Sequence, residues 1–156
     1  MKELLHQIKY EHQYHALLQI GRHLKSIHKD LINQLTEVKY WVPIPYHSKR
    51  LNQRGYNIVE ELFSPLLSTL HIQKAPIIKR KKNTSALFNK SLKHRKIILK
   101  DIFEISKEDC STLADSTLVL VDDIVSSQST FKEIIQEIES LNKNISIKCL
   151  SLAKVV

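Results

Sequence analysis

The chain has 156 residues, 42% of them hydrophobic, which suffices for one folded domain and argues against a chain that stays disordered. Its formal net charge of +8 favours phosphate-bearing partners, with a generally basic surface as an equal alternative. Two cysteines exclude a disulfide framework and a four-cysteine zinc site, and no apolar run approaches the length of a membrane span. We therefore expect a cytoplasmic, soluble protein without membrane insertion, folded as a single domain over residues 1–156.

The amino-terminal part, about residues 1–38, carries apolar residues mostly at helical spacing. This pattern predicts two helices, with Gly21 as the break between them because glycine is unfavourable inside a helix. The segment Tyr40–Pro45 then predicts a short buried strand that its prolines end.

A cationic loop is predicted next, over Tyr46–Gly55. The amphipathic stretch Ile58–Leu70 predicts a helix that Pro65 kinks or interrupts, and Ala75–Ile78 predicts another strand. The polar, basic stretch Lys79–Lys96 has little periodicity and is typical of a mobile loop.

The clearest pattern lies in the last third of the chain. Two short extended segments are predicted over Ile97–Leu99 and Ile102–Ile105, and a connection over Ser106–Ser116. Thr117–Val121 is a continuous β-rich apolar run, which is typical of a parallel strand that is covered on both faces. A helical spacing over Phe131–Leu141 and a strand over Ile145–Leu152 complete a βαβ unit, so we predict an α/β fold with a parallel sheet flanked by helices.

Two adjacent acids, Asp122 and Asp123, stand where the buried strand is expected to end, the edge at which α/β sheets bind ligands. Carboxylates there can accept hydrogen bonds from a ribose diol, or lie near a divalent cation that a pyrophosphate brings. Hydroxyl side chains then crowd the predicted helix start, where free amides favour a phosphate; they are Ser126, Ser127, Ser129 and Thr130. An equal alternative is a helix cap beside solvated acids.

The string from Leu118 to Ser127 is similar to the signature of phosphoribosyltransferases, which bind phosphoribosyl pyrophosphate (PRPP). More narrowly, Val42–Pro45, Lys49–Leu51 and Arg54–Asn57 resemble the competence protein F (ComFC) family, a branch of that superfamily linked to DNA uptake. The resemblance implies a type I phosphoribosyltransferase fold with a mobile basic loop or hood. It also implies single-stranded DNA and a competence helicase as partners, and Mg²⁺ as the cofactor that accompanies PRPP.

The resemblance also assigns residues to sites. The implied PRPP site consists of Asp122, Asp123, Ile124, Val125, Ser126, Ser127, Gln128, Ser129 and Thr130, with the two acids meeting the metal only through ligand or water. The implied pyrophosphate loop is Tyr46, His47, Ser48, Lys49 and Arg50. The predicted nucleic-acid or lid residues are Arg54, Lys79, Arg80, Lys81, Lys82, Phe88, Lys93 and Arg95. Arg54 has an equal alternative, an ion pair with Glu60 or Glu61.

The sequence departs from the family at three places. Gln128 stands where the phosphate loop usually has glycine, which would cost about 1–2 kcal/mol if this position needs a positive φ. Leu87 and Ile98 replace polar residues, and we expect the family's amino-terminal zinc module to be absent.

Three functions remain open. The first is a competence-type protein that binds PRPP or a related ribose phosphate and handles single-stranded DNA in natural transformation. The second is an active Mg²⁺-dependent phosphoribosyltransferase acting on a nucleobase or other acceptor, for which no catalytic residue is assigned. The third is a receiver-like or nucleotide-binding α/β domain.

Overall fold

The computed structural model describes residues 14–26, 29–82, 102–125 and 128–154. The elements follow in the order α1 (Tyr14–Ser26), α2 (Lys29–Leu35), β1 (Val38–Pro43), α3 (Ser48–Arg54), α4 (Ile58–Thr69), β2 (Gln73–Lys74), β3 (Ile78–Arg80), β4 (Phe103–Ile105), α5 (Lys107–Thr112), β5 (Thr117–Val125), α6 (Ser129–Leu141) and β6 (Ser146–Lys154). Within these ranges, no helix combines the length and the apolar character needed to span a bilayer.

A parallel sheet of four strands in the order β2-β1-β5-β6 organises the fold. Its central strand β5 is wholly buried from Leu118 to Val121, as the apolar run predicts for a strand covered on both faces. The strands β5 and β6 are parallel and are connected by α6, so the predicted βαβ unit is confirmed. The described residues thus form an α/β fold with helices flanking a parallel sheet.

Alternate residues of β5 point into two separate cores, one on each face of the sheet. Leu118 and Leu120 face the core built with α5, α6 and the strands β3 and β4. Val119 and Val121 face the core built with α1, α2 and α4, where Trp41 and Phe63 are also buried. Both helix layers therefore depend on the same strand.

A second, two-stranded sheet pairs β3 with β4 in antiparallel orientation. The predicted strand Ala75–Ile78 is wrong in its bounds: Pro76 has no amide proton for a sheet, and the amide of Ile77 bonds to the carbonyl of Ala75 (2.9 Å). The basic segment predicted as a mobile loop begins instead as the strand β3. Its continuation over residues 83–101, including the predicted extended segment at residues 97–99, lies outside the described residues.

Two predicted connections contain short helices. The loop predicted over Tyr46–Gly55 is mostly α3, which begins at a cap made by His47 and ends at Gly55 with φ +84°. The connection predicted over Ser106–Ser116 contains α5, whose first turn is capped by the Ser106 hydroxyl (3.1 Å from the Asp109 amide). Both helices are polar and short, so apolar periodicity does not reveal them.

Gly21 does not break a helix as predicted, and Pro65 does not interrupt the helix that contains it. Gly21 lies inside α1, and α4 continues through Pro65 to Thr69. Because Pro65 has no amide proton, it cannot donate to the Glu61 carbonyl one turn earlier. Gly21 packs at that place: a Cβ on it would lie 2.9 Å from the Glu61 carbonyl oxygen and 3.2 Å from that of Leu62. The glycine therefore permits close packing of α1 on α4.

We expect Gly21→Ala to lower the free energy of unfolding by about 1–3 kcal/mol, because the added methyl group meets backbone atoms that cannot move aside cheaply. Urea denaturation measures the change. Gln19→Ala, at an exposed position of the same helix, is the control and should change stability by less than about 0.5 kcal/mol. Equal stability of Gly21→Ala and the parent would contradict the close approach of the two helices.

Candidate functional site

A shallow polar depression lies where β5 ends and α6 begins. It encloses about 260 Å³ of space open to solvent and is lined by Asp122, Ile124, Val125, Gln128, Ser129, Thr130 and Phe131. Six of these seven belong to the predicted PRPP site. Of the other three predicted residues, Ser126 and Ser127 lie outside the described residues, and Asp123 is not part of the lining.

Asp122 supplies the carboxylate of the depression. Its side chain is half-buried, and one of its oxygens, Oδ1, accepts a hydrogen bond from the Asp123 amide (2.9 Å). The depression also contains the first residues of α6, a helix of 13 residues with no acid in its first turn. Amides at a helix start and the positive end of the helix dipole favour an anion, so a phosphate and a hydroxyl-bearing group can be bound side by side.

Asp123 points the other way. Consecutive residues of a strand project to opposite faces, and Asp123 is 4% exposed on the face of Val119 and Val121. Its Oδ2 accepts a hydrogen bond from the Tyr46 hydroxyl (3.1 Å), and its Oδ1 accepts one from the Ile124 amide (2.7 Å). The Asp123 carboxylate is therefore bonded within the protein and is not part of the lining, and its predicted role in ligand binding stays a prediction.

Tyr46 stays protonated in this setting. Burial, and then the negative charges of Asp123 and Asp122, raise the pKa of its hydroxyl well above the ordinary value of about 10. The guanidinium of Arg54 opposes this shift; its carbon atom Cζ lies over the Tyr46 ring at 5.4 Å from the centroid. A neutral hydroxyl is a donor, so the bond to Asp123 persists over the ordinary pH range.

The predicted pyrophosphate loop is the start of α3. The Nδ1 atom of His47 accepts the amide proton of Lys49 (3.2 Å), so His47 is a helix cap, and Tyr46 is bonded to Asp123. The side chains of Ser48 and Lys49 are exposed, whereas for Arg50 the structure describes the backbone alone. An anion-binding role for Tyr46, His47, Ser48, Lys49 and Arg50 stays a prediction.

The predicted nucleic-acid or lid residues differ in their surroundings. Lys79 and Lys82 are exposed beside the strand pair β3–β4, whereas Lys81 lies 3.5 Å from Glu104 and Arg80 lies over the Phe103 ring. Phe88, Lys93 and Arg95 lie outside the described residues. Arg54 contacts Tyr46, while both proposed acidic partners have other bonds: Glu60 accepts from Lys74 and Asn57, and Glu61 from Tyr14.

Sequence reasoning missed two residues near these sites. Ser151 of β6 is the register partner of Asp122, and register partners in a parallel sheet share a face, so Ser151 lies beside the depression. Glu104 pairs with Lys81 and lowers the local positive charge. Ser151 could have been found by aligning β5 with β6. Glu104 could not, because its contact with Lys81 depends on the pairing of β3 with β4, which the sequence does not reveal.

A scan against protein-family models finds no match for this chain, and a search of curated proteins finds no significantly similar sequence. The resemblance to ComFC proteins therefore stays a hypothesis. The residues that line the depression are therefore the basis for inferring its ligand.

Gln128 has a left-handed backbone, with φ 57° and ψ 7°, at the cap position of α6. This is the positive φ at which a glycine would be favoured over glutamine. A side chain is strained there, and that of Gln128 makes no capping hydrogen bond to offset the strain.

We expect Gln128→Gly to raise the free energy of unfolding by up to about 1 kcal/mol, because it removes the strain but adds freedom to the unfolded chain. Chemical denaturation measures this. Gln136→Gly, at an exposed interior position of α6, is the matched control and should lower stability by about 0.5–1 kcal/mol. Equal losses in both variants would be inconsistent with a left-handed residue 128.

Proposed function

We propose that the depression between β5 and α6 binds a ribose phosphate, of which PRPP is one member. The observation that carries this proposal is the placement of Asp122 beside Ser129 and Thr130 at the start of α6. The helix start and its hydroxyls match a 5′-phosphate, and the carboxylate matches the ribose hydroxyls. Mg²⁺ arriving with the pyrophosphate of PRPP would meet the Asp122 carboxylate through the ligand or through water.

Ribose 5-phosphate and PRPP, the latter with and without Mg²⁺, should give saturable binding in isothermal titration calorimetry. Asp122→Asn should weaken binding at least about tenfold, because hydrogen bonds to charged groups contribute about 1.5–3 kcal/mol. Asp30→Asn, at an exposed position of α2, removes the same charge elsewhere and should have no effect on ligand binding. No heat from either ligand with the parent protein would reject the proposal.

Two further proposals depend on the resemblance to ComFC proteins. The favoured role is DNA handling during natural transformation, with a helicase as a partner. The alternative is an Mg²⁺-dependent phosphoribosyltransferase. An enzyme would release pyrophosphate from PRPP in the presence of a nucleobase, whereas a protein that only binds the ligand would not, so a pyrophosphate assay with a panel of bases separates the two.

The exposed cations at the strand pair β3–β4 support DNA binding. Lys79 and Lys82 are exposed, and the chain carries a net charge of +8. Cations clustered on one surface bind nucleic-acid phosphates and release counterions, so such binding weakens as salt rises.

Fluorescence anisotropy should therefore show salt-sensitive binding of a single-stranded oligonucleotide, and Lys79→Glu with Lys82→Glu should weaken it at least about tenfold at low salt. The matched control is Lys39→Glu with Lys143→Glu, which changes net charge equally at exposed positions outside the strand pair β3–β4. Equal losses of affinity in the two double variants would show that binding depends on net charge and not on the surface of β3–β4. No anisotropy change with the parent protein would exclude DNA binding.

A further inference from the structure

The two adjacent acids of β5 have different surroundings, although their side chains are alike. Asp122 lines the depression together with Ile124 and Val125 of the same strand. Asp123 lies on the opposite face, in contact with Tyr46, which belongs to the core built with α1, α2 and α4. A ligand in the depression meets the Asp122 carboxylate, whereas the Asp123 carboxylate is bonded to Tyr46 and is not part of the lining.

Bonds within the protein occupy both oxygens of Asp123. The Tyr46 hydroxyl donates to Oδ2 and the Ile124 amide donates to Oδ1, while the residue is 4% exposed. Turning this carboxylate toward a ligand would break both bonds and leave a buried donor without its acceptor, which is costly. Backbone pairing on both sides of Asp123, at Asp122 and Ile124 with β6, further opposes such a turn.

We propose that the acids divide their roles: Asp122 contacts the ligand, and Asp123 forms a buried link with Tyr46 that holds the ends of β1 and β5 together. This inference rests on the proposed function for the identity of the ligand. The link joins residues 77 positions apart in sequence, and Tyr46 follows β1 by only three residues. Its effect is on the stability of the sheet edge, and Asp122 alone supplies the carboxylate for the ribose hydroxyls.

The test measures two quantities on the full chain: the dissociation constant for ribose 5-phosphate by calorimetry, and the melting temperature without ligand. Asp122→Asn should weaken binding at least about tenfold and change the melting temperature little, since the side chain is half-buried. Asp123→Asn and Tyr46→Phe should each lower the melting temperature by about 3 °C or more and change affinity less than about threefold.

These outcomes distinguish the division of roles from the proposed function. A loss of affinity in Asp123→Asn equal to that in Asp122→Asn would keep the ribose-phosphate site and overturn the division. If Asp123→Asn does not fold, Tyr46→Phe decides: a tenfold loss of affinity, or an unchanged melting temperature, overturns the proposal. If the parent protein does not bind ribose 5-phosphate at all, the proposed function and the ligand role of Asp122 are both rejected.

Discussion

The pairing of β5 with a parallel strand on each side is the constraint on which the rest of the structure depends. Residues Leu118–Val121 are completely buried, and they supply apolar side chains to both cores. Parallel pairing also brings the carboxyl ends of β1, β5 and β6 to one edge, the position at which α/β sheets bind ligands. The hydrogen bond from the Ile44 amide to the Val121 carbonyl (2.9 Å) extends this alignment beyond the end of β1.

Burial on both faces determines what each polar residue at the end of β5 can do. If the strand had ended at Val121, both acids would have been in a loop, where strand geometry would not restrict the orientation of their side chains. In the structure β5 continues to Val125 beside β6, Asp122 lines the depression at the start of α6, and Asp123 bonds to Tyr46, which packs against the core built with α1, α2 and α4. A buried carboxylate such as that of Asp123 requires a hydrogen-bond donor as a partner for its charge. The Tyr46 hydroxyl is one such donor.

The sequence predicts the elements that are coded by local apolar pattern and misses those that are not. The run Thr117–Val121 and the spacing over Phe131–Leu141 predict β5, α6 and their parallel arrangement, which the structure confirms. The helix α3 is missed because it is polar and is stabilised by a histidine cap and a glycine stop. The orientation of Asp123 could not be predicted either, since it depends on where β5 ends and on Tyr46, which is 77 positions away.

Gln128 shows how a single substitution affects stability and binding in separate ways. The junction between β5 and α6 has a left-handed residue at position 128, and glutamine adopts that conformation at a higher energy than glycine. That cost is a property of the backbone and is present whether or not a ligand is bound. The glutamine side chain also forms part of the lining of the depression, so it reduces the space that is open to a ligand. Unfolding of the free protein reports the first effect alone, whereas ligand affinity, compared at equal folded fraction, reports the second.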